Sequence, residues 1–239
     1  MGYEAYLLDI EGTTTPAGYV YDVLFPFART HLSDYLDRHT KGASLSAVLA
    51  EAFSGLEAEY AADAEKGLEP PFWPSHPDPK GAEQYLLWQM DRDRKSTPLK
   101  TIQGQIWELG YRDGRLKGEI YPDVDPAIRR WHAAGAKVCI YSSGSAQSQR
   151  LLFAHLTDGD LTMFLSGYFD TSVGPKRDPM SYRAIAANLG IHPKRILFLS
   201  DTLREVEAAQ QAGLASRQVV REAMQVIEAD VITSFNDLE

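Results

Sequence analysis

A chain of 239 residues, 44% hydrophobic and 24% charged, carries enough apolar material to bury a core and lies far from disordered or fibrous compositions. Its 33 acidic residues against 24 Lys and Arg leave a net charge of -9, which argues against nucleic acid or an anionic membrane as partner and requires any phosphate to be held locally. No apolar run reaches the roughly 20 residues of a membrane span, the opening residues lack a basic, signal-like lead, and the single cysteine, Cys139, has no internal disulfide partner; a cytoplasmic home is expected, and nothing demands more than a monomer.

The first element is a short apolar strand at 6–8 that breaks into Asp9-Ile10-Glu11-Gly12-Thr13-Thr14-Thr15-Pro16, an acidic and hydroxyl-rich loop. Val20, Val23, Leu24, Phe27, His31 and Tyr35 then recur at helical spacing, as do Leu45, Val48, Leu49, Ala52, Phe53 and Leu56. Pro26 falls inside the first pattern, so a kink or a late helix start is expected there. The stretch 69–79, dense in proline, reads as a stiff connector. Helical spacing resumes over 85–90 and at Leu99, Ile102, Ile106 and Leu109, stopping near Gly110 and Gly114.

After Tyr121-Pro122-Asp123-Val124 the texture alternates: helix 125–134, strand 137–141, helix 146–155, helix 179–189, strand 195–199, helix 204–212, strand 216–220. Strands alternating with helices imply a parallel sheet. The first strand is separated from this run by a purely helical block. The expected fold is therefore an α/β, Rossmann-like parallel-sheet core formed by residues 1–14 and 121–239, with an all-helical domain, residues 15–120, inserted after the first strand.

In open parallel sheets, ligands collect at the carboxyl ends of the strands, where loops converge and helices begin with free N–H groups. Asp9 and Glu11 follow the first strand, Ser142-Ser143-Gly144-Ser145 the second, and Ser200-Asp201 a third. Singly, each is as consistent with a helix cap or a turn. Together they offer two acidic clusters and a hydroxyl-lined turn, a hard-oxygen set suited to magnesium and phosphate. A carboxylate can attack phosphorus to form an aspartyl phosphate, provided cations and donors offset the meeting of two anions. Lys176, in a Gly-Pro loop between helices and not on a helix face, is the candidate lysine. Cys139 reads as a core residue of its strand, and His31, His76 and His132 as structural or solvated.

In order and type these residues resemble the haloacid dehalogenase superfamily of phosphohydrolases. The resemblance sets Asp9 on the nucleophile, Ser142 on the phosphate-binding hydroxyl, Lys176 on the neutralising lysine, and Asp201 with Glu205 on the metal-supporting acids. The helical block sits where one class of that superfamily carries a cap. The usual second aspartate of the first motif is Glu11 here. That departure, with Val23-Leu24-Phe25-Pro26-Phe27-Ala28-Arg29, Gln103-Gly104-Gln105-Ile106-Trp107 and Tyr121-Pro122-Asp123-Val124, is similar to the enolase-phosphatase branch, the acireductone synthases of methionine salvage.

The resemblance implies a phosphorylated diketone substrate, 2,3-diketo-5-methylthiopentyl-1-phosphate, enolised and then dephosphorylated. It implies Mg2+ held by Asp9, Glu11 (through its backbone carbonyl) and Asp201, with Asp9 and Glu11 catalytic and Ser142, Ser143 and Lys176 binding substrate. It also implies a cap that closes over the site, with Trp107, Phe72 and Trp73 as aromatic candidates for the methylthio end, although such residues serve equally as core. A general phosphatase of the same superfamily would share every core residue and differ at Glu11 and the helical-block motifs. A catalytically dead binding protein is opposed by the intact Asp9, Lys176 and Asp201.

Overall fold

The computed structural model describes residues 2–40, 45–73, 78–94, 96–221 and 231–238. In chain order the elements are β1 (Ala5–Leu8), a π-helical turn (Tyr19–Leu24), α1 (Phe25–Thr40), α2 (Ala47–Glu65), α3 (Pro79–Met90), α4 (Thr97–Arg112), α5 (Val124–Ala133), β2 (Lys137–Tyr141), α6 (Ala146–Ala154), β3 (Gly167–Phe169), α7 (Pro179–Leu189), β4 (Ile196–Ser200), α8 (Leu203–Gln211), β5 (Ala215–Val219) and β6 (Val231–Ile232), with short 3-10 turns between some of them. They fall into two compact units, residues 1–20 with 116–239, and residues 21–115.

The first unit is built on a six-stranded sheet in the order β3-β2-β1-β4-β5-β6, with every pairing parallel. Every residue of β1 and β4 is buried, as a parallel sheet covered on both faces requires. Tyr6 of β1 stacks on Trp131 of α5 with ring centroids 4.0 Å apart. In the core cluster of Leu7, Cys139, Tyr141, Tyr182 and Phe198, Tyr182 of α7 meets Tyr141 and Phe198 edge-on. The chain runs outward from β1 through β2 and β3, then returns to lay β4 on the other side of β1. That reversal opens a crevice beyond the carboxyl ends of β1 and β4, where ligands bind in such sheets.

The parallel sheet agrees with the alternating pattern of the sequence, but β3 and β6 are absent from the sequence expectation. At three and two residues they are too short to show a periodicity, and pairing with β2 and β5 defines them.

The second unit is helical. Ser46, Asp78 and Ser96 each cap a helix by accepting from a backbone N–H of its first turn. Leu32, Leu36, Phe53, Leu56, Tyr85, Leu86, Ile102 and Ile106 are buried, following the helical period. Val48 and Leu109 belong to that pattern but are exposed. Pro26 is the second residue of α1 and directly follows the π-helical turn; it lies within a helical run, where it can donate no backbone hydrogen bond. The helical run is continuous from residue 17 through the π-helical turn into α1, so the helix does not start late: its ladder widens to a π-helical turn just before the proline. Residues 74–77 of the proline-dense connector, including His76, lie outside the described residues.

Candidate active site

Asp9 continues β1 by one residue, its N–H bonded to the Leu199 carbonyl of β4 at 3.0 Å, so its carboxylate is delivered at the switch in strand order. Oδ1 accepts from the Ile10 N–H at 2.7 Å and from Lys176 Nζ at 2.5 Å. Oδ2 lies 3.2 Å from the Ser200 hydroxyl. That hydroxyl is also 2.9 Å from Glu205 Oε2 and, having one proton, donates to one carboxylate at a time. Lys176 reaches Glu205 Oε2 at 2.7 Å. One ammonium thus serves two carboxylates.

The position of Lys176 is set from its backbone. Gly174 has φ of +136°, which only glycine adopts freely, and its carbonyl accepts from the Tyr141 hydroxyl at 2.9 Å. The Pro175 carbonyl accepts from Ser181 at 2.8 Å, and the Lys176 carbonyl from the Tyr182 hydroxyl at 2.6 Å. Burial alone would lower the pKa of Lys176, but the Asp9 and Glu205 charges outweigh it and hold the ammonium protonated. Glu205 is pushed up, by burial first and with Asp9 adding to it against the pull of Lys176.

Asp201 begins the loop after β4. Its N–H donates to Thr13 Oγ1 at 2.8 Å, and its carboxylate abuts Gly12: a Cβ on Gly12, whose φ is +67°, would lie 2.5 Å from Oδ2. The turn between them is compact. The N–H groups of Thr13, Thr14 and Thr15 converge on the Ile10 carbonyl at 3.2, 3.0 and 2.9 Å, and the Thr14 hydroxyl donates to the Asp9 carbonyl at 2.9 Å. The Asp201 carboxyl is raised above its ordinary value by burial and then by the negative charge of Asp9.

The other expected residues are placed less uniformly. Ser142 is buried at the end of β2, beside β1 in the sheet; its Oγ accepts from the Gly144 N–H at 3.2 Å. Ser143 is exposed. Gln149 of α6 holds this turn by donating to the Gly144 and Phe169 carbonyls at 2.8 and 2.7 Å. Glu11 is half-buried in the turn after β1. Tyr182 and Gln149 carry no signal in the sequence pattern, and Ser200 stands there only as the residue before Asp201; its bond to Asp9 spans most of the chain, while Tyr182 and Gln149 act through loop carbonyls whose placement no periodicity records. Glu205, expected among the metal-supporting acids, ion-pairs with Lys176.

Residues read as structural behave so. His31 stacks on Phe27 with centroids 4.1 Å apart, and His132 meets Phe164 edge-on. Cys139 is fully buried, and burial pushes its thiol up to about 12, a core group and not a nucleophile. Trp107 is buried and donates to the Leu24 carbonyl at 2.7 Å; Trp73 is also buried, whereas Phe72 is 78% exposed.

The donor set suits a hard divalent cation. Asp9 and Asp201 bring two carboxylates close enough for one to raise the other, and the site holds more carboxylates than Lys176 can balance. Among the described residues no three His, Cys, Asp or Glu side chains converge on one point. Magnesium, which is commonly bound by one or two carboxylates with water and substrate phosphate, needs no such cluster. Among the described residues no helix is long and apolar enough to cross a membrane.

The model of the haloacid dehalogenase-like hydrolases matches residues 3–213. Among curated relatives, the enolase-phosphatase E1 of Synechococcus elongatus is 47% identical over 235 residues, covering 97% of this chain and 96% of that protein. The enolase-phosphatase E1 of Danio rerio is 41% identical over 244 residues, covering 98% and 94%. Among solved structures, the UTR4 protein of Saccharomyces cerevisiae superposes with a TM-score of 0.78 at 28% identity, covering 99% of this chain and all of that one. A phosphate-bound CbbY from Rhodobacter sphaeroides, at 17% identity and a TM-score of 0.56, shares the fold.

Proposed function

The chain belongs to the haloacid dehalogenase-like hydrolases and, within them, to the enolase-phosphatases, and from that membership we propose how its residues divide two chemical steps. The enzyme enolises 2,3-diketo-5-methylthiopentyl-1-phosphate and then removes the phosphate, giving 1,2-dihydroxy-3-keto-5-methylthiopentene and inorganic phosphate, a reaction of methionine salvage. The observation that carries the division of labour is the geometry of Asp9: both oxygens are oriented by donors, one of them a buried ammonium at 2.5 Å.

In the phosphatase step an Asp9 oxygen attacks phosphorus, the ester bond to the enediol oxygen breaks, and a water then cleaves the aspartyl phosphate to restore the carboxylate. Lys176 stays protonated and offsets negative charge between Asp9 and the phosphoryl oxygens. The Ser142 hydroxyl, with Ser143 beside it, binds the phosphate from the turn after β2; the Ser142 N–H is held by the Phe169 carbonyl. Ser200 and Glu205 keep Asp9 and Lys176 in register. Asp9, Asp201 and the Glu11 carbonyl would hold Mg2+, which when bound screens the phosphate charge and polarises the phosphoryl oxygens.

The product's new double bond joins the first and second carbons, so the enolisation proton leaves the carbon that bears the phosphate ester. The Glu11 side chain is our candidate for that transfer: one methylene longer than aspartate, it reaches farther from the same backbone position. The enediol is a better leaving group than a simple alkoxide and needs less acid assistance in the second step. Replacing Glu11 with Asp and timing enediol formation and phosphate release separately tests this. A loss concentrated in enolisation supports the assignment, and equal losses in both steps remove it. We further propose that the enzyme works as a cytoplasmic monomer, with the helical unit, residues 21–115 of the expected segment 15–120, as its cap.

A further inference from the structure

Arg221 follows β5, far in sequence from the acidic turn, yet its side chain is 7% exposed and two of its three nitrogens donate to that turn. Nε and Nη2 both donate to the Thr13 carbonyl, at 2.9 and 2.6 Å. Nη1 donates to Asp123 Oδ2 at 2.6 Å. The guanidinium lies 4.4 Å from the Tyr121 ring and 4.7 Å from that of Phe235, which fixes its plane. Asp123 is fixed in turn, since the same Oδ2 accepts from Ser234 Oγ at 2.8 Å and from the Phe235 N–H at 2.6 Å.

Thr13 is therefore gripped at three points: its N–H by Ile10, its hydroxyl by the Asp201 N–H, and its carbonyl by Arg221. It is the joint between the turn that carries Asp9 and Glu11 and the loop that carries Asp201. A rigid fork on one carbonyl sets direction as well as distance, so moving it shifts the Glu11–Gly12 backbone relative to Asp201. We propose that Arg221, oriented by Asp123, is a positioning residue that sets the separation of these oxygen donors and hence their affinity for the divalent cation. The inference rests on the phosphatase reading above.

The test is a calorimetric magnesium titration of the purified protein and its Arg221→Gln variant. Melting temperatures with and without magnesium, and phosphate release from the diketone phosphate at varied magnesium, accompany it. The variant is expected to bind magnesium about tenfold or more weakly, as when an outer support of a metal site is lost. Its half-saturating magnesium for phosphate release rises by the same factor, while KM for the diketone phosphate at saturating magnesium stays near wild type. Arg221→Lys, with a point charge in place of the fork, recovers only part of the affinity. A folded Arg221→Gln protein that melts lower without magnesium but titrates like wild type would show a merely structural role and overturn the proposal. Should that variant fail to fold, Asp123→Asn, which keeps the shape and removes the charge, decides in its place: about threefold or greater weakening supports the proposal, and an unchanged titration overturns it. Wild-type protein that releases phosphate without magnesium would instead defeat the underlying reading, and this proposal with it.

Discussion

Two buried charge networks, one in each unit, show what separates a working site from a structural one. In the helical unit Asp63, 1% exposed, accepts from the Tyr85 hydroxyl at 2.7 Å and from Arg94 at 3.1 Å. One anion meets one cation, and Tyr85 is pushed far up by burial and then by its bond to Asp63, so it stays a donor. That network is closed. At the ends of β1 and β4 a single ammonium is shared between Asp9 and Glu205, while Asp201 is raised by burial and by Asp9. That network carries excess negative charge, which a structure selected for stability alone would avoid. On that difference rests our reading of the second network as a cation and phosphate site.

The sharpest way to break the comparison is Lys176→Met. It leaves the carboxylates buried without their ammonium, and phosphate release should fall on the order of 1000-fold, as for loss of a preorganised charge. Stability without magnesium should fall by about 3 kcal/mol, the scale for stranding a buried ion. Phosphate assay and denaturant melts read both, and a stable, active variant would refute the assignment. Gly12→Ala comes next: its Cβ would displace the Asp201 carboxylate, and activity should fall about 10- to 100-fold, the range for disturbing a metal-site support. Unaltered kinetics would show that Asp201 yields without consequence.

Asp63→Asn probes the closed network and should do the reverse. It should cost about 1–3 kcal/mol of stability, the scale for an imperfectly satisfied buried group, and leave kcat near wild type; a large loss of kcat with an unchanged melt would contradict this division. The smallest effect concerns acid. Burial would raise the Asp123 carboxyl, but Arg221, the Phe235 N–H and Ser234 together hold it below its ordinary value. Because the folded pKa is depressed, its stabilisation is present above the unfolded value and is lost as pH falls through the folded one. Asp123→Asn should therefore flatten the decline of stability in strong acid, as followed by melts at stepped pH, and an unaltered slope would remove Asp123 as a source.

The sequence reveals most where function rests on local order. Asp9 and Ser142 stand directly after an apolar run and Asp201 one residue beyond another, and the neighbouring strands β1, β2 and β4 end at them on the carboxyl side of the sheet. Lys176 is betrayed by its Gly-Pro loop. What escapes notice is pairing: Ser200 facing Asp9 and Arg221 reaching back to Thr13 depend on distant contacts, and Tyr182 bonds the nearby Lys176 carbonyl through a loop whose course no periodicity fixes. Ser143 looks equivalent to Ser142 in sequence, but the turn sends one inward and leaves the other exposed. The strands β3 and β6 are created by their neighbours and not by their own few residues.

The account turns on Asp9 as phosphoryl acceptor. The most direct test is an anaerobic assay of wild type and Asp9→Asn with the diketone phosphate and magnesium, following enediol absorbance and phosphate together. Wild type should form both products and lose them without magnesium, while the variant should lose phosphate release by about 1000-fold or more. Phosphate release by folded Asp9→Asn at near the wild-type rate would contradict the central claim, and wild-type turnover of simple phosphate esters alone, with no enediol, would contradict the two-step reaction.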